Sequence, residues 1–194
     1  QTCALPISSY TGKRIFGGRH YRFCERKRCQ CMIVYHGSTE IIKNPDVVHS
    51  KKYLDFGRGF YITTFENQAK KWAVRKGMRQ KKTAIVNVYE LSEEWSGFRV
   101  LSFEKENEKW LDFVCACRKG QSLNKEYDII IGNVADDDVF KTVDMYFRGL
   151  WNKEKVLNEL RYYKMNNQIC IVKQEALDCL LTFQKAYEVN SNGK

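Results

Sequence analysis

Leu54 to Thr64 reads LDFGRGFYITT, with Gly57 and Gly59 one residue apart just before a run of aromatic and β-branched residues. Phe60 to Thr64 has the composition of a strand. Glycine weakens a strand, and where it occurs it marks a tight turn, a bulge or the close approach of another group. Successive strand residues point to opposite faces, so Phe60 and Tyr61 cannot both pack inward. One ring enters the core and the other offers a flat surface. Asp55 and Arg58 set an acid and a base around the loop.

On the N-terminal side, Met32 to His36 forms a short apolar strand that runs into Gly37 and Ser38, and residues 39–58 have the polar, Pro45-containing character of a loop. On the C-terminal side, Ala69, Trp72 and Ala73 recur at helical spacing between Glu66 and Met78. Ala84 to Leu91 and Phe98 to Phe103 have strand character. Glu106 to Arg118 is a helix that puts Trp110, Phe113, Val114 and Cys117 on one face. Tyr127 to Ile131 is an apolar strand, interrupted only by Asp128 and closed by Gly132. Asp136, Asp137 and Asp138 cap a helix expected to reach Leu150. A charged helix from Lys153 to Tyr162, a strand from Gln168 to Lys173 and a helix from Glu175 to Phe183 follow, and residues 189–194 read as a frayed tail. Strands and helices mix without regular βαβ alternation, which predicts the α+β class.

The 194 residues suit one domain, placed at 32–188, with a sizeable core. No apolar run approaches the roughly 18 residues of a membrane span. The first residues lack the apolar core of a signal peptide, so a cytoplasmic location is expected. Of the net charge of +10, residues 1–31 carry +6, from seven Lys and Arg against Glu25. QTCALPIS at the N-terminus matches the translated frame of a sequencing-library adapter. The codons for Glu25 to Arg28 can form a purine run where a ribosome-binding site would precede Met32. Residues 1–31 are therefore expected to be non-native leader; the alternative is a basic arm that binds nucleic acid. His20, Cys24, Cys29 and Cys31 lack the Cys-x-x-Cys pairs of a zinc knuckle, and no metal site is expected. Cys115, Cys117, Cys170 and Cys179 sit in apolar patterns as small core residues of a reducing compartment.

Three places depart from core logic: His36 at the end of an apolar strand, the Gly57–Tyr61 stretch, and Gln168 opening a strand that is otherwise apolar. No phosphate-binding glycine loop or nucleophile elbow accompanies them. Taken in order, YHGS, GFYIT and NQICIVKQEAL resemble the three motifs of the ADP-ribosyltransferase superfamily, in its diphtheria-toxin-like His-Tyr-Glu branch. LDFGRGFYITT, QAKKWA, EKWLDFVCACRKG and YDIIIGNVADDD extend a closer resemblance, to the bacterial domain-of-unknown-function family 3990, over about Ile33 to Leu181.

The resemblance implies a split β-sheet core that cradles NAD as co-substrate. His36 would bond a ribose hydroxyl, the Gly37 backbone the nicotinamide carboxamide, and Ser38 a ribose. Tyr61 would stack on the nicotinamide beside Phe60, with Gly57 and Gly59 letting the chain close on NAD. Arg58 would meet the pyrophosphate, although Asp55 and Arg58 equally suit a local ion pair. Gln168 stands where the branch usually has Glu; it keeps an acceptor oxygen but loses the charge that stabilises the ribosyl cation. Asp112 is a candidate for that missing carboxylate. Catalytic roles thus fall to His36, Tyr61 and Gln168. ADP-ribose would pass to a protein or nucleic-acid acceptor, or to water, with a toxin or phage-defence role and an antitoxin partner implied. A non-catalytic module binding NAD, ADP-ribose or nucleic acid is the alternative.

Overall fold

The computed structural model describes residues 30–133, 137–160 and 167–189, with a short pair at 15–16 and 19–20. That pair, β1 (Ile15–Phe16) and β2 (Arg19–His20), is antiparallel. It lies within residues 1–31, the stretch expected to be non-native leader. The adapter motif, Cys24, Cys29, Asp136, Tyr162 and residues 190–194 lie outside the described residues.

The fold is mixed, with five helices and two main sheets among the described residues. The first sheet contains β3 (Cys31–Ser38), β5 (Ala84–Ser92) and β9 (Leu181–Val189) in the order β3-β5-β9, antiparallel throughout. The second contains β4 (Phe60–Ile62), β6 (Val100–Ser102), β7 (Ile129–Gly132) and β8 (Gln168–Ile171) in the order β4-β8-β7-β6. Its one parallel pairing is β6 with β7. Among the described residues, one isolated backbone bridge joins the sheets: Tyr35 N–H donates to the Thr63 carbonyl at 2.8 Å, and Thr63 N–H to the Tyr35 carbonyl at 3.0 Å.

Burial explains the apolar strands. Along β7 and β8, Ile129, Ile169 and Ile171 join Val34, Phe60, Ile62 and Leu91 in one core, while Ile130 and Cys170 join Phe56, Trp110 and Val114 in another. A strand covered on both faces has no polar face to show. Asp128, the exception, accepts from the Arg99 backbone N–H and from its guanidinium, each at 2.9 Å. Helix α1 (Glu66–Gln80) covers the outer face of the first sheet through Ala69 and Ala73, against Val86 and Val88. Helix α2 (Glu108–Arg118) is capped by Asn107, whose side chain accepts from Trp110 N–H at 3.0 Å, and it buries the expected stripe. Helices α3 (Asp137–Phe147) and α4 (Lys153–Leu160) add Val139, Val143, Val156 and Leu160 to the same core.

Three expectations need correction. Helix α5 (Gln174–Leu180) stops before Phe183, and β9 follows without a loop. Val189 belongs to that strand, paired with Ala84 and 8% exposed, and not to the tail. Cys115, Cys117 and Cys170 are buried, but Cys179 is exposed.

The two glycines before β4 are required by the protein itself. Gly57 has φ +72°, and a Cβ there would lie 2.8 Å from Asn124 Nδ2. A Cβ on Gly59 would lie 2.4 Å from Cys170 Sγ and 2.8 Å from the Ile171 carbonyl oxygen. Gly59→Ala is expected to lower the unfolding free energy by about 1–3 kcal/mol through overpacking against β8. Urea denaturation checks this, and an unchanged midpoint would mean that the strands do not press together there.

Candidate functional site

A cleft of about 1360 Å³ opens where β3 and β4 part. Its floor is made by the ends of both strands, one wall by α1, and the other by the loop between β3 and β4. That loop is pinned to the first sheet. Buried Asn87 accepts from Ile42 N–H at 2.8 Å and donates to the Glu40 carbonyl at 3.0 Å, and the Tyr89 hydroxyl donates to the Ile42 carbonyl at 2.7 Å.

His36 lies on the cleft wall with its Nδ1 2.7 Å from the Tyr61 carbonyl. A carbonyl only accepts, so Nδ1 carries the proton and Nε2 keeps a lone pair. Phe60 stacks on the imidazole at 4.6 Å and 24°. Burial pulls the His36 pKa down to about 4; the bond to the Tyr61 carbonyl opposes this and the Lys76 charge adds to it. At neutral pH the ring is therefore a neutral acceptor.

Gly37 gives the cleft an open strand edge. Backbone groups of a strand point alternately to its two sides. Those of Tyr35 face Thr63. The N–H and C=O of Gly37, two residues on, face the same side, where β4 has diverged and the cleft begins. The position also needs glycine, because a Cβ would lie 2.2 Å from the Ala69 carbonyl oxygen of α1.

Tyr61 presents its ring to the cleft, but its hydroxyl is committed. It donates to the Gly57 carbonyl at 2.6 Å and accepts from Phe56 N–H at 3.1 Å. Burial, and the nearby Cys170 and Asp55, hold the phenol well above its usual pKa. Its value to a ligand is a fixed aromatic face. Phe60, as its neighbour, turns into the core at 6% exposure.

Gln168 opens β8 at 3% exposure and reaches the cleft floor. Its Nε2 lies 3.3 Å from both Asp55 Oδ2 and the Asn133 carbonyl, which are acceptors, so the amide nitrogen faces them and Oε1 is turned away. Asp55 is held in turn by Arg118, with Nε at 3.0 Å and Nη2 at 2.6 Å from Oδ1.

His36, Gly37, Asp55, Gly59, Phe60, Tyr61 and Gln168 thus meet in one cleft. Four of the expected residues lie outside this group. Arg58 is exposed, is not part of the cleft wall and does not pair with Asp55, whose partner is Arg118. Ser38 is buried, and its Oγ accepts from Lys76 Nζ at 3.3 Å. Gly57 lies behind the cleft as an acceptor for Tyr61. Asp112 sits on the far side of α2, where it accepts from Lys153 at 2.9 Å and from the Tyr146 hydroxyl at 3.3 Å.

Arg118 and Lys76 were missed. Arg118 looked like an ordinary basic helix end. The signal for Lys76 was its place four residues after Trp72 on α1. Among the described residues, no group of three or more His, Cys, Asp or Glu is placed to hold a metal ion, and no helix is long and apolar enough to cross a membrane.

Neither a curated protein nor a solved structure matches the chain. A family model described as protein of unknown function (DUF3990) matches residues 32–183, most of the chain. The chain belongs to the DUF3990 family.

Proposed function

We propose that the protein is an NAD-dependent ADP-ribosyltransferase, which cleaves the bond between nicotinamide and ribose and passes ADP-ribose to a macromolecule. The observation that carries this reading is the convergence of the Gly37 strand edge, His36 Nε2, the Tyr61 ring and Gln168 on one cleft between two parting sheets.

The residues suit the dinucleotide. A carboxamide both donates and accepts, which complements the N–H and C=O of Gly37. The Tyr61 ring offers a stacking face for nicotinamide, and His36 Nε2 accepts from a ribose hydroxyl. Lys76 replaces Arg58 as the cation for the pyrophosphate, since it lies on the cleft wall beside His36. The cleft volume of about 1360 Å³ exceeds the roughly 300–1,000 Å³ of ordinary small-molecule sites.

NAD supplies the chemistry of a leaving group, whose departure puts positive charge on the ribose. The protein orients that ribose and stabilises the charge. Gln168 Oε1 accepts from a ribose hydroxyl. A full charge about 5 Å away would contribute roughly 3 kcal/mol at an effective dielectric of 20, or about two orders of magnitude in rate. Gln168 lacks that charge. Asp55, 3.3 Å from its Nε2, brings a carboxylate to the site, partly offset by Arg118. The same Gln favours a second reading, a module that binds NAD without turning it over. A bacterial toxin or defence effector acting in the cytoplasm, with an antitoxin partner, is the setting the transferase reading implies.

Incubating the full chain with NAD labelled on the adenylate, with bacterial lysate as acceptor, tests the reading. Nicotinamide release with labelled macromolecule, lost in Tyr61→Ala and Gln168→Ala, is expected. Release without labelling would make the protein an NAD glycohydrolase, and NAD bound without release would make it a binding module.

The His36 environment adds a pH signature. Because Nε2 keeps its lone pair down to about pH 4, NAD affinity should stay flat from pH 8 to 5 and fall toward 4. An inflection near 6.5 in NAD titrations would contradict the buried neutral ring. The folded pKa lies below the unfolded value, so the unfolded chain takes up the proton first as pH falls. The His36 contribution to stability is therefore lost between about pH 6.5 and 4, readable as a falling urea midpoint.

A further inference from the structure

We infer that the cleft wall formed by α1 and the facing loop is a binding surface for single-stranded nucleic acid, which makes that polymer the acceptor. The inference rests on the transferase reading only for the word acceptor; the binding surface is argued from its own residues.

Trp72, Arg75 and Arg79 recur at spacings of three and four, so they share one face of α1, and that face lines the cleft. Positions four apart on a helix are separated by about 6 Å along its axis, close to the step between phosphates of an extended strand. Lys43, Lys51 and Tyr53 line the cleft from the loop. Tyr53 is 63% exposed, with Lys52 Nζ 5.5 Å from its ring centre.

The acids of the cleft wall do not cancel this field. Glu40 pairs with Lys82 at 3.1 Å and Asp55 with Arg118 at 2.6 Å; Asp46 hydrogen-bonds His49 at 2.6 Å and stands as one acid against Lys43, Lys51, Lys76 and Arg79. What faces the cavity is a set of cations interleaved with two aromatic rings. A cationic groove with stacking platforms is the pattern that binds single strands, because unpaired bases offer their faces while the phosphates follow the charges. An acidic peptide would use the cations and leave Trp72 and Tyr53 without a role. A duplex would keep its bases stacked inside. NAD brings two phosphates, and Lys76 faces them; Lys43, Lys51 and Arg79 and the surplus volume of the cleft suit a second, polyanionic substrate.

The test measures binding of fluorescein-labelled single-stranded DNA and RNA oligonucleotides to the full chain by anisotropy across a salt series, without NAD. Residues 1–31 are present in every variant, so differences report the cleft. Removing three cations in Lys43→Ala/Lys51→Ala/Arg79→Ala should flatten the slope of log affinity against log salt by about two. Tyr53→Ala, at an exposed position, should weaken binding about tenfold or more. The DNA and RNA arms identify the sugar. Unchanged slope and affinity in both variants, equally tight duplex binding, or equal competition by polyglutamate would overturn the inference. NAD cleavage is assayed separately: cleavage without oligonucleotide binding removes this inference alone, and binding without cleavage removes the donor reading alone.

Discussion

The two backbone hydrogen bonds between Tyr35 and Thr63 are the constraint on which the site depends. They join the two sheets at one point and let them part immediately afterwards. A continuous ladder there would bury the Gly37 edge in strand pairing, and no cleft would form. Beyond the bridge, the His36 Nδ1–H reaches across to the Tyr61 carbonyl. That bond fixes the tautomer, turns the lone pair away from the protein and ties the first sheet to the second at the mouth of the cleft. Packing supports the junction from behind: α1 presses its Ala69 backbone against Gly37, and Gly59 admits the close approach of β8.

The site is built from groups whose conventional reactivity has been suppressed. His36 is too buried to titrate near neutrality, and the Tyr61 phenol is held by two backbone groups and kept protonated. At neutral pH the imidazole is a neutral acceptor and the phenol a committed donor. What remains is shape, fixed acceptors and a flat ring, which suits a reaction whose leaving group departs without taking up a proton and whose acceptor carries its own nucleophile. Gln168 fits this scheme as a neutral acceptor whose nitrogen is taken by Asp55 and Asn133. Asp55 joins this polar floor to α2 through Arg118.

Much of this was legible in the sequence. The strand at Phe60, with its two rings on opposite faces, and the polar opening of β8 both follow from period-two alternation, and the structure has them. The two glycines were legible as a constraint but not as to its source, because the groups they admit, Asn124, Cys170 and Ile171, are far away in the chain. Strand β9 was hidden for a local reason. Ala176, Leu177 and Leu180 form a helical stripe that continues into Leu181 without Gly or Pro, so the change of period leaves no punctuation. An irregularity opposite Val88 and Tyr89 further breaks the alternation of that strand. The partner of Asp55 was out of reach for a similar reason: Arg58 is its neighbour in sequence, but the folded chain brings Arg118 to it.

The most direct measurement is a titration of NAD into the full chain, with imidazole nitrogens labelled and followed by NMR. His36 is expected to show a protonated Nδ1 and an unprotonated Nε2 at neutral pH. NAD is expected to shift the Nε2 signal as a ribose hydroxyl bonds to it, while Nδ1 stays bound to the Tyr61 carbonyl. A His36 signal unmoved at saturating NAD, or a proton found on Nε2, would contradict the assignment of this cleft as the NAD site.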